Sequence, residues 1–205
     1  MKICLVVAVT NDNIIGQKGS SKLLWKQKND MSFFKELTTD NIVIMGNDTF
    51  KSMGSKPLKN RFNVVLTRDK DLAKQCRTDY IRYAVKPYEG FEEKYFDQSL
   101  FYVNDLQQTL KDFKTVNHPK DIFIIGGESI YNLARDLSSD VAVDELYITT
   151  LDVSLGESIN TPVHFKHTSD VWEHVETLGN GTKDENNTYD WKIDRLSRVL
   201  NVIEI

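Results

Sequence analysis

Short apolar runs alternate along the chain with segments of helical period. The runs are Ile3–Val9, Ile42–Met45, Phe62–Leu66, Leu100–Val103 and Ile122–Ile125, each β-branched or aromatic. Several are too uniformly apolar for a strand with one wet face. They predict strands buried on both sides, in a mainly parallel sheet covered by helices. Helices are expected between them, over Lys28–Thr38, Thr49–Met53, Asp105–Phe113 and Ser129–Leu137, with Asn104 and Gln107 spaced as a capping box. Further on, Glu145–Leu151 reads as a strand, and Trp172–Leu178 and Tyr189–Leu196 flank the polar stretch Gly179–Thr188 as a hairpin with a long loop. Gln75–Ser99 has no clean period and reads as a surface excursion. The whole is an α/β chain of one domain over residues 1–205, with surface insertions at 75–99 and 179–188.

A chain of 205 residues can bury a sizeable core without staples. The net charge of -4 gives no basis for nucleic acid or an anionic membrane as partner. Cys4 lies in an apolar run, and neither it nor Cys76 falls in a metal-binding spacing, so two unpaired thiols in a reducing compartment are expected, and no metal. The N-terminus lacks the flanks and cleavage site of a signal peptide, and no apolar run approaches the ~20 residues of a membrane span. The expected location is the cytoplasm.

Candidate chemistry begins at Asp30. On a helix, Asp30, Phe33, Phe34 and Leu37 share one face, so a carboxylate sits in an apolar stripe. It is either an acid favoured by the helix N-terminus or a functional carboxylate in a pocket. Ile124-Ile125-Gly126-Gly127-Glu128-Ser129 is a strand running through two glycines into a helix. Such glycines let backbone N–H groups approach a phosphate, or they serve a tight turn. Ile44-Met45-Gly46-Asn47-Asp48-Thr49-Phe50 repeats the pattern, with Asn47 or Asp48 as a possible N-cap. Thr67-Arg68 after Phe62–Leu66 suits a phosphate or a surface ion pair. Together, three such strand ends would line the crevice where doubly wound sheets bind ligands.

These segments, in this order, resemble dihydrofolate reductases. Val6-Val7-Ala8-Val9 and Ile14-Ile15-Gly16 resemble the first strand and the opening of the family's active-site loop. Leu23-Leu24-Trp25 followed by Asp30 resembles L-P-W…D, and Ile44-Met45-Gly46 with Thr49-Phe50 resembles I-M-G-x-x-T-[FW]. Pro57-Leu58-Lys59-Asn60-Arg61-Phe62-Asn63-Val64-Val65-Leu66-Thr67-Arg68 resembles P-L-x-G-R-x-N-[VI]-[VI]-L-[ST]-[RS]. Ile125-Gly126-Gly127 with Tyr131, and Asp144-Glu145-Leu146-Tyr147-Ile148-Thr149, complete the set. The chain departs from the pattern at Leu24 for Pro, at Asn47 and Asp48 for residues often basic, at Asn60 for Gly, and by about two residues added near Gly19–Lys22. Gly156-Glu157-Ser158 matches the family's late Gly-Asp-Thr poorly.

The resemblance implies a three-layer sandwich, with a central, mainly parallel sheet that ends in an antiparallel hairpin and helices on both faces. It implies NADPH-dependent reduction of 7,8-dihydrofolate to tetrahydrofolate, in support of one-carbon and thymidylate metabolism, by a monomer. Asp30 would hold the pterin, supported by Thr149, shielded by Trp25, with Tyr131 near the nicotinamide. Val7, Ala8, Met31, Phe34, Lys35, Met53, Leu58 and Ile125 would line the substrate site, and Arg61 would pair with its α-carboxylate. The cofactor would contact Ala8, Ile15, Gly16, Gly46, Asn47, Asp48, Thr49 and Leu66 on one side. On the other it would meet Gly126, Gly127, Glu128, Ser129, Ile130 and Tyr131, with Thr67 and Arg68 on the 2′-phosphate. The family's cis peptide bond would fall at Gly126-Gly127. The rival readings are the pyrimidine reductase of riboflavin synthesis, which shares the fold, and a non-catalytic binding protein.

Overall fold

The computed structural model describes residues 1–20, 23–79, 99–166 and 171–199. In chain order the elements are β1 (Ile3–Thr10), β2 (Ile14–Gln17), α1 (Lys28–Thr38), β3 (Ile42–Gly46), α2 (Asn47–Ser52), β4 (Phe62–Leu66), α3 (Lys70–Asp79) and β5 (Leu100–Val103). They continue with α4 (Leu106–Thr115), β6 (Ile122–Ile124), α5 (Glu128–Arg135), β7 (Glu145–Leu151), β8 (Pro162–His164), β9 (Trp172–Gly181) and β10 (Trp191–Arg198). Eight strands form one sheet in the order β5-β4-β3-β6-β1-β7-β10-β9, and β2 pairs with β8 apart from it. The pairs from β5 through to β7 are parallel, while β10 runs antiparallel to both β7 and β9.

The uniformly apolar runs are buried because both faces of the sheet are covered. Alternate residues of one strand enter different cores, as the two-residue strand period requires. Ile3, Leu5 and Val7 face α4 and α5, meeting Leu110, Phe113, Ile130 and Ala134. Cys4 and Val6, with Val43, Met45 and Val65, face the side of Phe34 and Leu37 from α1 and Phe50 from α2. Phe62 anchors the first core by stacking on Phe101 at 4.9 Å and meeting Phe113 edge-on at 6.3 Å. This is the three-layer α/β sandwich expected.

Several local expectations need correction. The cap of α4 is Asp105, which accepts from the Gln108 N–H at 2.9 Å, and not Asn104. Gln107 reaches instead to the Ser138 N–H at 3.2 Å. The first turn of α2 has Gly46 at its N-cap, so neither Asn47 nor Asp48 caps it. β9 continues through Gly181 and β10 begins at Trp191, which shortens the loop between them. That loop is no free insertion, because Asn187 is buried against the start of α1. Of the 75–99 segment, residues 75–79 end α3, and 80–98 lie outside the described residues. Gly156-Glu157-Ser158 forms a short 3-10 turn whose Gly156 N–H meets Asp12. The segment that pairs with β2 is Pro162–His164.

Candidate active site

The parallel strands all end on one edge, and the candidate residues follow those ends. β1 brings Val7 and Ala8, β3 brings Gly46, β4 brings Leu66 and Thr67, and the chain after β6 brings Ile125 to Gly127. Ala8 lies in register with Thr149 of β7. A cleft of about 2050 Å³ opens along this edge, at the place where doubly wound sheets bind ligands.

Asp30 sits in the first turn of α1, half-buried on the wall of the cleft. The Thr149 hydroxyl donates to Asp30 Oδ1 at 2.6 Å. Burial pushes the Asp30 pKa up from the ordinary carboxylate value, and the Thr149 hydrogen bond pulls against it. The carboxylate thus has one fixed donor, while the walls around it are largely apolar, including Val6, Trp25, Phe34 and Ile125. A ligand that brings its own N–H donors would complete its hydrogen bonding. Trp25 is buried and lines the same cleft. Tyr131 is buried as well, and its hydroxyl donates to the Val6 carbonyl at 2.7 Å. Burial first, and the Asp30 charge second, push the Tyr131 phenol pKa up.

Another side of the cleft is built from glycines that allow close backbone approach. The Gly46 N–H donates to the Gly126 carbonyl at 2.7 Å, stitching two strand ends together. The Gly126-Gly127 peptide is cis. A Cβ on Gly46 would meet Ile130 at 2.9 Å, and one on Gly126, at φ +101, would meet the Tyr131 ring at 2.8 Å. α5 has Gly127 at its N-cap with no side-chain cap bond, and its first residues, Glu128, Ser129 and Ile130, line the same cleft as Gly46 to Thr49. Uncapped N–H groups at a helix start suit an anion. Leu66, Thr67 and Arg68 lie at the same edge, as do Ile15 and Gly16. Asp48 is exposed there.

Val7, Ala8, Met31, Phe34, Met53 and Ile125 line the main cleft. Lys35, Leu58 and Arg61 do not; they line an adjoining basin of about 460 Å³ that shares Met53 with the cleft. Arg61 is 6% exposed. Its Nε donates to the Lys59 carbonyl at 2.9 Å and its Nη1 to the Thr38 hydroxyl at 3.0 Å, so its fork is held in place. Thr149 and Gly126 are buried behind the cleft wall, Thr149 bonded to Asp30 and Gly126 packed on Tyr131. Sequence reasoning missed Lys26, Leu23 and Ser20 on the loop side and Asn104 beyond β5. Leu23 and Lys26 flank the Trp25 motif and could have been included on that ground. Asn104 carried no signal, since only the sheet order brings it near. Among the described residues no group of three His, Cys, Asp or Glu side chains converges as a metal site requires, and no helix is long and apolar enough to cross a membrane.

A family model described as dihydrofolate reductase matches residues 2–94. The chain is similar to dihydrofolate reductase of Bacillus subtilis, 29% identical with 93% of this chain and 90% of that protein covered. It is also similar to that of Staphylococcus haemolyticus, 26% identical with 97% of both covered. A bifunctional dihydrofolate reductase-thymidylate synthase of Paramecium tetraurelia is 33% identical over 80% of this chain. The chain spans about 30% of the length of that protein and of its mimivirus counterpart. Among solved structures, dihydrofolate reductase from Enterococcus faecalis complexed with NADP(H) and RAB-propyl matches with a TM-score of 0.68 and 24% identity, covering 96% of each chain.

Proposed function

We propose that this chain, which matches the dihydrofolate reductase family model over residues 2–94 and dihydrofolate reductases along most of its length, is itself such an enzyme and reduces 7,8-dihydrofolate to 5,6,7,8-tetrahydrofolate with NADPH. The observation that carries the reading is the Asp30 carboxylate on an apolar cleft wall, held by Thr149 at 2.6 Å. Ionised, Asp30 accepts hydrogen bonds from the pterin N3 and 2-amino group, and its negative charge favours a protonated N5. Phe34, Met53 and Ile125 wall the pterin and aryl rings, and Trp25 keeps water from the carboxylate. Lys35 and Arg61 take the tail carboxylates in the adjoining basin, where the buried guanidinium is already oriented by Thr38 and Lys59.

NADPH, when bound, supplies the hydride; the protein supplies place and charge. The residues present fit it. The uncapped start of α5 at Gly127 to Ser129 faces Gly46 to Thr49 across a gap lined by backbone, where a pyrophosphate is met by N–H groups. Thr67 and Arg68 take the 2′-phosphate, and the carbonyl and N–H of Ala8 orient the nicotinamide amide. Both cysteines are free, in keeping with a cytoplasmic enzyme, and a monomer suffices because every group named comes from one chain. The pyrimidine reductase reading has no use for Trp25, Asp30 and Arg61 together. Following NADPH oxidation with dihydrofolate, and separately with a phosphoribosyl-aminopyrimidine, tests the proposal. Turnover only with dihydrofolate supports it; turnover only with the pyrimidine, or with neither, overturns it.

A further inference from the structure

Helix α1 starts without a cap of its own. Gln27 stands at the N-cap position, and its side chain makes no cap hydrogen bond. The first N–H groups of a helix have no partner within it, so partners must come from elsewhere. Here they come from 158 positions downstream. The Lys28 N–H donates to the Asn186 carbonyl at 3.1 Å, and the Asn29 N–H donates to Asn187 Oδ1 at 3.2 Å. Gln27 turns the other way: its Nε2 donates to the Tyr189 carbonyl at 2.8 Å, and its Oε1 accepts from the Thr188 N–H at 2.9 Å. Gln27 is 3% exposed and Asn187 1%. Two polar side chains are therefore buried, Gln27 against the backbone of Thr188 and Tyr189 and Asn187 against that of Asn29, a costly arrangement unless all these bonds are made. Asp184 shapes the loop beneath them. Its Oδ1 accepts from the N–H groups of Asn186 (2.8 Å) and Asn187 (2.7 Å) and from Asn187 Nδ2 (2.9 Å).

Asp30 is the third residue of that capped turn. Its carboxylate is tied to Thr149, and Thr149 lies in register with Ile193 of β10. The loop carrying Asn187 runs directly into β10. One antiparallel ladder thus holds the carboxylate through Thr149 and the backbone beneath it through Asn187. The groups that reach Asp30 are the Thr149 hydroxyl from β7 and the buried Tyr131 phenol from α5.

We infer that Asn187 is a positioning residue for Asp30, holding the first turn of α1 through the Asn29 N–H so that the carboxylate stays on the cleft wall. The inference rests on the reductase reading, and its test separates the two. The Asp30 carboxyl is titrated by heteronuclear NMR, and kcat/KM for dihydrofolate and Kd for NADPH are measured alongside. In Asn187→Ala the turn loosens and water reaches the carboxylate. The titration midpoint then falls toward the ordinary carboxylate value by about half a unit or more. kcat/KM falls roughly 3- to 30-fold, the scale of losing a helix cap, while Kd for NADPH holds within about twofold. Asp184→Ala, a surface change that loosens the loop without touching α1, gives the same pattern more weakly and serves if Asn187→Ala does not fold. Leu110→Ala, which opens the far core, leaves the midpoint in place. An unmoved midpoint with unchanged kcat/KM in a folded loop variant overturns the inference, as does an equal shift in Leu110→Ala. If the wild type does not turn over dihydrofolate, the reductase reading fails, and the NMR midpoint alone decides the role of Asn187.

Discussion

Thr149→Val deletes one hydroxyl while keeping the shape of the side chain. Thr149 is 3% exposed, and its hydroxyl donates to Asp30 Oδ1 at 2.6 Å, so the substitution leaves a half-buried carboxylate without its donor. Hydrogen bonds to charged groups contribute about 1.5–3 kcal/mol, and 1.36 kcal/mol corresponds to one pKa unit. The Asp30 midpoint should therefore rise by roughly one to two units. The direction follows from the two opposing influences on Asp30: burial raises its pKa, Thr149 lowers it, and only burial remains. The Thr149 bond favours the ionised form. Its contribution to stability is thus present above the folded pKa of Asp30 and lost as the pH falls through it. Thermal melts should show the variant least stable, relative to wild type, at neutral and higher pH, with the gap closing on acidification. Dihydrofolate affinity, read by fluorescence titration across the same range, should begin to weaken at a pH displaced upward by the same one to two units. A midpoint that stays in place, or a melting deficit independent of pH, would refute the reasoning.

Arg68→Ala should weaken NADPH roughly 10- to 150-fold, as loss of a charge-assisted hydrogen bond does, and leave NADH nearly unchanged; equal losses would show that Arg68 does not read the 2′-phosphate. Asp48→Lys should tighten NADPH roughly 3- to 30-fold at low ionic strength, with the gain shrinking in salt; an unchanged Kd at low salt puts the Asp48 charge out of reach of the cofactor. Gly126→Ala should cost more than about 2 kcal/mol in chemical denaturation, because the new Cβ falls 2.8 Å from the Tyr131 ring at φ +101; a variant as stable as wild type would show that the Tyr131 ring yields.

The sheet was legible because its strands are buried on both faces, and that condition writes itself as runs such as Ile42–Met45 and Phe62–Leu66. α1 was legible for a similar reason, since Phe34 and Leu37 must face Val43 and Met45. Asp30 could be placed on the apolar face of a helix from spacing alone, but spacing could not choose between a helix-end acid and a pocket carboxylate. That choice depends on Thr149, 119 positions away, and only motif order pointed to it. Helix starts were read less well. Asp105 and Asn104 are both good caps, and which of them acts is decided by the backbone turn at the end of β5. The role of Asn187 left no local trace, because nothing near Gln27 in sequence announces that its helix is capped from the last loop. Arg61 was identified, but its setting in a basin beside the cleft follows from Thr38 and Lys59, which hold it there.

The central claim is that the Asp30 carboxylate makes this cleft a dihydrofolate reductase site. Its most direct test is steady-state NADPH oxidation with dihydrofolate across pH, for wild type and Asp30→Asn side by side. The amide can still accept from Thr149, and it removes a charge that burial disfavours, so the variant should melt no lower than wild type near neutral pH. Its turnover near neutrality should nevertheless fall by ~10²-fold or more, the scale of a positioned acid–base group, and partly recover in acid, where free dihydrofolate already carries its proton. A folded Asp30→Asn protein that turns over dihydrofolate near the wild-type rate at neutral pH would contradict the account.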